Sequence, residues 1–305
     1  MKLLFLLLTT TFFSYGQELV VLKDNTKLEA RKTKPRKNAF IITLLNGDKR
    51  EIANKDVALI VNTRLEEEHF WKIEANINSV YFDGDTTYVK AKRIVVGKIS
   101  IFEYYVRSMT PNGMGASNMS SARVLLCEKD NIINEVPMGG WLLGENYDRY
   151  TLLERLVHDN LSLKKEVINL DKKMKVSDFL QIIKRYNIDY FDSKKMGAVA
   201  PTGNSINAVL YTNEKLQSES YLLVNDSVKY SISNSTLANV KLVPSTTTKI
   251  CLVQGDTRIC DLIEASSYLS NYWKVSIESG YLELSREKKL DAQRDISLIL
   301  SKQKK

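Results

Sequence analysis

Histidine and cysteine are scarce in this chain: 305 residues hold only His69, His158 and the cysteines Cys127, Cys251 and Cys260. Neither histidine stands in a metal-ligand pattern, with no HExxH and no CxxC in the sequence, so no metal or other cofactor is expected. His158, between Val157 and Asp159, reads as a structural or exposed side chain rather than a general base. GxSxG, the Walker loop and GxGxxG are also missing, which removes the usual serine nucleophile and nucleotide cradles. Gly197–Gly203, GAVAPTG, has two glycines but no following Lys-Ser/Thr and reads as linker. Carboxylate pairs such as Glu145 and Asp148 could serve a glycosidase, but a chain with 36 acidic residues offers many such pairs. The reading is therefore non-enzymatic.

Long apolar runs are missing too, so no transmembrane anchor is expected. The longest apolar stretch is at the start, MKLLFLLLTTTFFSYGQE. Lys2 supplies a positive n-region, Leu3–Phe13 an h-region too short to span a bilayer, and Ser14 and Gly16 the small residues of a cleavage site before Gln17. Residues 1–16 read as a signal peptide, and the mature protein as secreted, periplasmic or at the cell surface. The formal charge of +8 gives mild attraction to anionic polymers. It is spread over many segments and no nucleic-acid motif accompanies it, so no nucleic-acid partner is expected.

What is present is mostly short alternating strands. The expected fold class is α+β, mostly β, with two β-rich domains and a central three-helix segment. Residues 17–192 form the first domain: a small barrel-like module at 17–64, a second β region at 65–140 and a helical segment at 147–190. A linker follows at 193–207, then a β-sandwich-like domain at 208–285 and a terminal helix with a basic tail at 286–305. In the first module, Asp24-Asn25 and Asn46-Gly47 predict two-residue hairpin turns. The first sets Val21 opposite Leu28 and Leu19 opposite Ala30, all on one face. Arg31–Lys37, RKTKPRK, has five positive charges in seven residues. It reads as a solvated loop kept from pairing by its charge and Pro35; the alternative is contact with an anionic surface. Thr110–Ala122 is small and polar and reads as a mobile hairpin tip.

In the helical segment, Thr151 and Glu154 have capping-box spacing, and Leu152, Leu153, Leu156, Val157 and Leu161 form a stripe. Ser177 caps a last helix that buries Phe179, Ile182, Ile183 and Tyr186. Leu290, Ile296 and Leu300 are weak anchors for the terminal helix. Trp141, Tyr147 and Tyr150 flank the start of the helices beside Asn146 and Asp148. Such aromatics either recognise a glycan or pin the sheet-to-helix junction.

The sharpest residue-level expectation concerns Cys251 and Cys260. A two-residue turn at Gly255-Asp256 sets Gln254 opposite Thr257 and Cys251 opposite Cys260 in a non-hydrogen-bonded pair, where side chains approach closely enough to bridge. A cross-strand disulfide is expected in an oxidising compartment, the alternative being two reduced thiols. Cys127, beside Leu125 and Leu126, reads as a buried thiol.

Three stretches carry a resemblance: the leader ending SYGQ, the hairpin Leu22–Ala30 (LKDNTKLEA), and VINLDKKMKVSDFLQIIKRYN. They resemble uncharacterised secreted proteins of Bacteroidota-type bacteria, which usually have Gly where Asn25 stands, and whose C-terminal β-sandwich modules the last region resembles. That resemblance implies a cell-envelope or surface protein and assigns no catalytic residue. The expected function is contact with an envelope protein, with glycan binding as the alternative and an envelope hydrolase behind both.

Overall fold

The computed structural model describes residues 18–36, 39–73, 88–111, 117–138, 149–170, 174–196, 204–214, 216, 219–232 and 237–303. The leader at 1–16 lies outside them. The fold is α+β and mostly β. The chain forms two compact units: residues 1–72 with 87–90, and residues 73–86 with 91–305. The linker expected at 193–207 thus falls inside the second unit, with residues 197–203 outside the described set.

The first unit holds β1 (Glu18–Leu22), β2 (Lys27–Pro35), β3 (Ala39–Leu44), β4 (Lys49–Ala53), β5 (Val57–Asn62) and β6 (Glu67–Ile73). The sheet order is β6-β5-β1-β2-β3-β4. The module expected to be barrel-like is an open sheet ending on β4, and it takes in a sixth strand. Val20, Ala30, Phe40, Ile42, Val57, Ile60 and Trp71 form its core, and Tyr88 stacks on Trp71 with ring centroids 6.1 Å apart.

Both hairpins in this unit correct the expected register by one residue. Val20 opposes Leu28 and Glu18 opposes Ala30, so Val20, not Val21, shares the inner face with Leu28 and Ala30. The connection has three residues: Leu22 N–H donates to Thr26 O at 2.9 Å and Asn25 takes φ +68°. The second hairpin repeats this, with Leu44 N–H donating to Asp48 O at 2.8 Å and Gly47 at φ +92°. The cause is shared. The middle loop residue, Asp24 or Asn46, accepts from the N–H two residues on, Thr26 at 2.8 Å or Asp48 at 3.0 Å. That side-chain turn leaves only the third residue in the left-handed region, the geometry of a three-residue hairpin loop.

RKTKPRK is also corrected. It is not a loop: β2 runs to Pro35 and pairs with β3 through Lys34↔Ile41 and Pro35↔Phe40. The register shifts between Ala30 and Lys32. This bulge at Arg31 keeps Ala30 inside while turning Lys32 and Lys34 outward, so the charges do not oppose pairing.

The second unit begins with β7 (Tyr88–Val95), which crosses the division, then β8 (Ile99–Pro111), β9 (Ser117–Lys129) and β10 (Ile132–Val136), a meander in order β10-β9-β8-β7. The tip expected at Thr110–Ala122 is narrower than that, since pairing continues to Pro111↔Ser117. Backbone pairing, once in register, does not need apolar side chains. One face of this sheet carries Ile99, Ile101, Leu125, Cys127 and Val136 against three helices, α1 (Arg149–Leu156), α2 (Leu161–Ile168) and α3 (Val176–Ser193). Most of the expected stripes meet here: Leu152, Leu153, Leu156, Val157, Phe179, Ile182, Ile183 and Tyr186 are all buried, but Leu161 is not part of the stripe, because a new helix starts on it and leaves it exposed. The caps differ from expectation. Thr151 and Ser177 lie within α1 and α3; Asn160 caps α2 through Leu163 N–H at 3.1 Å, and Asp178 accepts from Lys175 N–H at 3.3 Å.

The sandwich contains β11 (Ile206–Tyr211), β12 (Tyr221–Val224), β13 (Val228–Ser231), β14 (Leu237–Leu242), β15 (Thr247–Gln254), β16 (Thr257–Glu264), β17 (Tyr272–Glu278) and β18 (Tyr281–Glu287). Its sheets are β14-β11-β17-β18 and β13-β12-β15-β16. Alternating side chains fill the space between them, among them Leu210, Leu222, Val240, Leu252, Trp273 and Leu284. β18 was not expected; it returns from β17 through Ser279-Gly280, both at positive φ. The chain ends in α4 (Lys289–Gln303).

Candidate functional site

Several polar side chains of the second unit converge on α3. Asn187 is 1% exposed and acts as an extra strand partner: its Oδ1 accepts from Ile99 N–H at 2.9 Å, and its Nδ2 donates to Ile99 O at 2.8 Å and Val96 O at 3.1 Å. Gly97 lies beneath it at φ +143°, where a Cβ would overlap the Asn187 side chain. One turn earlier, Lys184 spans to the sandwich, donating to Asp261 of β16 and Glu283 of β18, each at 3.1 Å. Burial works against the Lys184 charge, but the two carboxylates outweigh it and hold the ammonium above the ordinary lysine value. Burial pushes the Asp261 carboxyl up, only partly offset by Lys184.

At the far end of α3, Asp192 pairs with Lys249 of β15, a lysine 2% exposed in its side chain. Lys249 also reaches Asp226 at 2.5 Å, and Asp226 in turn takes Arg258. A second buried lysine, Lys129, donates to Leu156 O at 2.6 Å and Asp159 at 2.9 Å, over the Tyr186 ring, while Tyr186 O–H donates to Asp159 at 2.9 Å. Burial would raise the Asp159 pKa, but these two donors leave it below the ordinary carboxylate value. These three clusters join helix to sheet. Each buried ammonium already holds a carboxylate, which suits cohesion rather than proton transfer.

The sequence-predicted residues are scattered. Trp141 and Tyr147 lie outside the described residues, as do Glu145 and Asp148. Tyr150 is half-buried against the helix–sheet core. Cys127 is fully buried, and burial pushes its thiol up to about 12. His158 is exposed, its Nδ1 2.8 Å from Arg155 O. Cys251 and Cys260 are joined by a disulfide across β15 and β16, in the expected register, with Cα atoms 4.0 Å apart. Closing that ten-residue loop stabilises the hairpin by ~2–3 kcal/mol. Among the described residues, no group of three or more His, Cys, Asp or Glu side chains is placed to hold a metal ion, and no helix is long and apolar enough to cross a membrane.

A surface candidate remains at the C-terminus. α4 lies across β11, β14 and β17 and leaves a groove of about 570 Å³ lined by Val209, Leu237, Asn239, Tyr272, Ile296 and Leu300. The helix is held mainly through Ala292, fully buried, with Ile296 and Ile299 half-buried. Leu290, Leu298 and Leu300 are exposed by 79%, 54% and 46%. This corrects the expected anchors: Leu290 faces outward, Leu300 lines the groove but stays exposed, and Ala292 takes their place because a small side chain lets the helix approach the sheet. Tyr211 is buried near the start of α4; burial, with Glu287, Asp295 and Asp291 nearby, pushes its hydroxyl up to about 12.

No family model, curated protein or solved structure matches this chain.

Proposed function

We propose that this chain is a non-enzymatic protein of the cell envelope or cell surface, exported by its leader, that works by contact with another protein. The observation that carries this reading is α4. A terminal helix exposes Leu290 and Leu298 beside an apolar groove on the sandwich that the exposed Leu300 helps to line, the arrangement by which one protein offers an anchor surface to another. Lys129, Lys184 and Lys249 support the non-enzymatic part, since each is occupied in joining helix to sheet. Tyr150 packs against the core, so the reading favours a protein partner over a glycan.

Site-specific photo-crosslinking in the producing cell tests it. A photoreactive residue at Leu290 or Leu298 should give a discrete adduct with a second protein, and the same residue at Lys241, exposed on β14, should not. No adduct from α4, or an identical pattern from Lys241, would overturn the reading.

A further inference from the structure

The net charge is not evenly spread. Residues 26–55 hold nine basic and three acidic residues, +6 of the chain's +8. They form β2, β3, β4 and the turns beside them. Arg31, Lys32, Lys34, Arg36, Lys49, Arg50 and Lys55 are all exposed, and among the described residues none of these seven pairs with a carboxylate.

The register arranges part of this set in a plane. Lys34 opposes Ile41 and Lys32 opposes Thr43 on β3; beyond them Thr43 opposes Lys49 and Ile41 opposes Glu51 on β4. These side chains share the face opposite the buried Phe40 and Ile42. Lys32 and Lys34 are then ~7 Å apart along the strand, and Lys32 and Lys49 ~10 Å apart across two strands. Glu51 is on the same face, as is Glu29 further along β2. Arg31 is at the bulge. At the tip of the β3–β4 connection Leu45 is exposed.

We propose that this face docks on an anionic phospholipid surface. A two-dimensional grid of cations matches a two-dimensional field of headgroup phosphates better than it matches a single polyanionic strand. Aromatic side chains point the same way. Phe40 is the only one between 26 and 55 and it is buried inward, so β2, β3 and β4 turn no aromatic ring outward beside these lysines to stack on a base or a sugar ring. Lysines at a membrane surface act as point charges without fixed partners, and an exposed Leu45 beside them is placed to enter the headgroup layer.

Co-sedimentation of the mature protein tests this, with vesicles of phosphatidylcholine alone or mixed with phosphatidylglycerol. Binding should require phosphatidylglycerol and weaken as salt rises. Lys32→Gln, Lys34→Gln and Lys49→Gln together should weaken it on the order of a hundredfold, at about fivefold per cation. Lys165→Gln, Lys175→Gln and Lys241→Gln, three exposed lysines of the second unit, should leave it nearly unchanged. Unchanged circular dichroism would show that both triple variants fold. The proposal is overturned if binding ignores phosphatidylglycerol, if both triple variants lose it equally, or if a soluble acidic polysaccharide is bound while vesicles are not.

Discussion

Lys32, Lys34 and Lys49 of the first unit stand exposed on one sheet face with no carboxylate bound among the described residues, whereas Lys129 and Lys249 of the second unit are buried, Lys184 is nearly so, and each holds at least one. Composition cannot separate these uses of the same residue. An exposed lysine costs the fold almost nothing and leaves its charge available to a partner. A buried one is tolerated only with a partner in place, so it commits two distant segments to each other. Lys184 and Lys249 both commit α3 to the sandwich, across 77 and 57 residues of sequence. Those commitments account for the helices and the sandwich belonging to one unit.

The largest expected effect follows from Lys184. In Lys184→Met, Asp261 must either hold a buried charge with no cation beside it or take up a proton, and urea denaturation should show a loss of about 3–5 kcal/mol. Adding Asp261→Asn should recover much of it. The amide removes the charge yet still accepts from Leu262 N–H, now bound at 2.9 Å. The pH dependence has a defined sign. The Lys184 pKa is raised in the folded state, so its contribution is complete below the ordinary lysine value of 10.5 and is lost as pH rises through the raised one. If the single variant costs under 1 kcal/mol, the contrast between the units fails.

A smaller effect, about 2–3 kcal/mol, is expected from Asn187→Leu, which strips partners from the buried N–H and C=O of Ile99. Gly97→Ala should cost a similar amount through its positive φ and the overlap with Asn187. Hydrogen exchange should place both losses in β7–β10 and the helices, with amides of the first unit unaffected. Faster exchange in β1–β6 would mean that the units are not energetically separate.

Much of the architecture was legible because it rests on local signals. The β15–β16 hairpin was readable to its register, disulfide included, since a two-residue turn led by Gly255 leaves one alignment. The apolar stripes of α1 and α3 identified the side chains that now fill the core. Local signals also misled. Asp24-Asn25 and Asn46-Gly47 look like two-residue turns, and only the side-chain bonds from Asp24 and Asn46 show that they are the last two residues of three-residue loops. β18 went unread although Leu282 and Leu284 alternate behind a Ser-Gly turn. Lys184–Asp261 and Lys249–Asp192 leave no trace in the sequence, because nothing around a lysine announces a carboxylate many tens of residues away. The surface of α4 was half legible: its leucines were visible, but which way they faced depended on Ala292.

The smallest expected effect sharpens the contrast most. Changing Lys32, Lys34 and Lys49 together to Gln should alter stability by no more than about 0.5 kcal/mol, since exposed side chains without bound partners contribute little to the fold. The sign should be slightly favourable at low salt and vanish at high salt, because these cations repel one another across β2 and β4 and salt screens that repulsion. Urea denaturation at two salt concentrations measures both. A loss of 2 kcal/mol or more would mean that these lysines hold the sheet together as Lys184 holds α3 to the sandwich, and a face that the fold itself requires could not be read as one kept for a membrane.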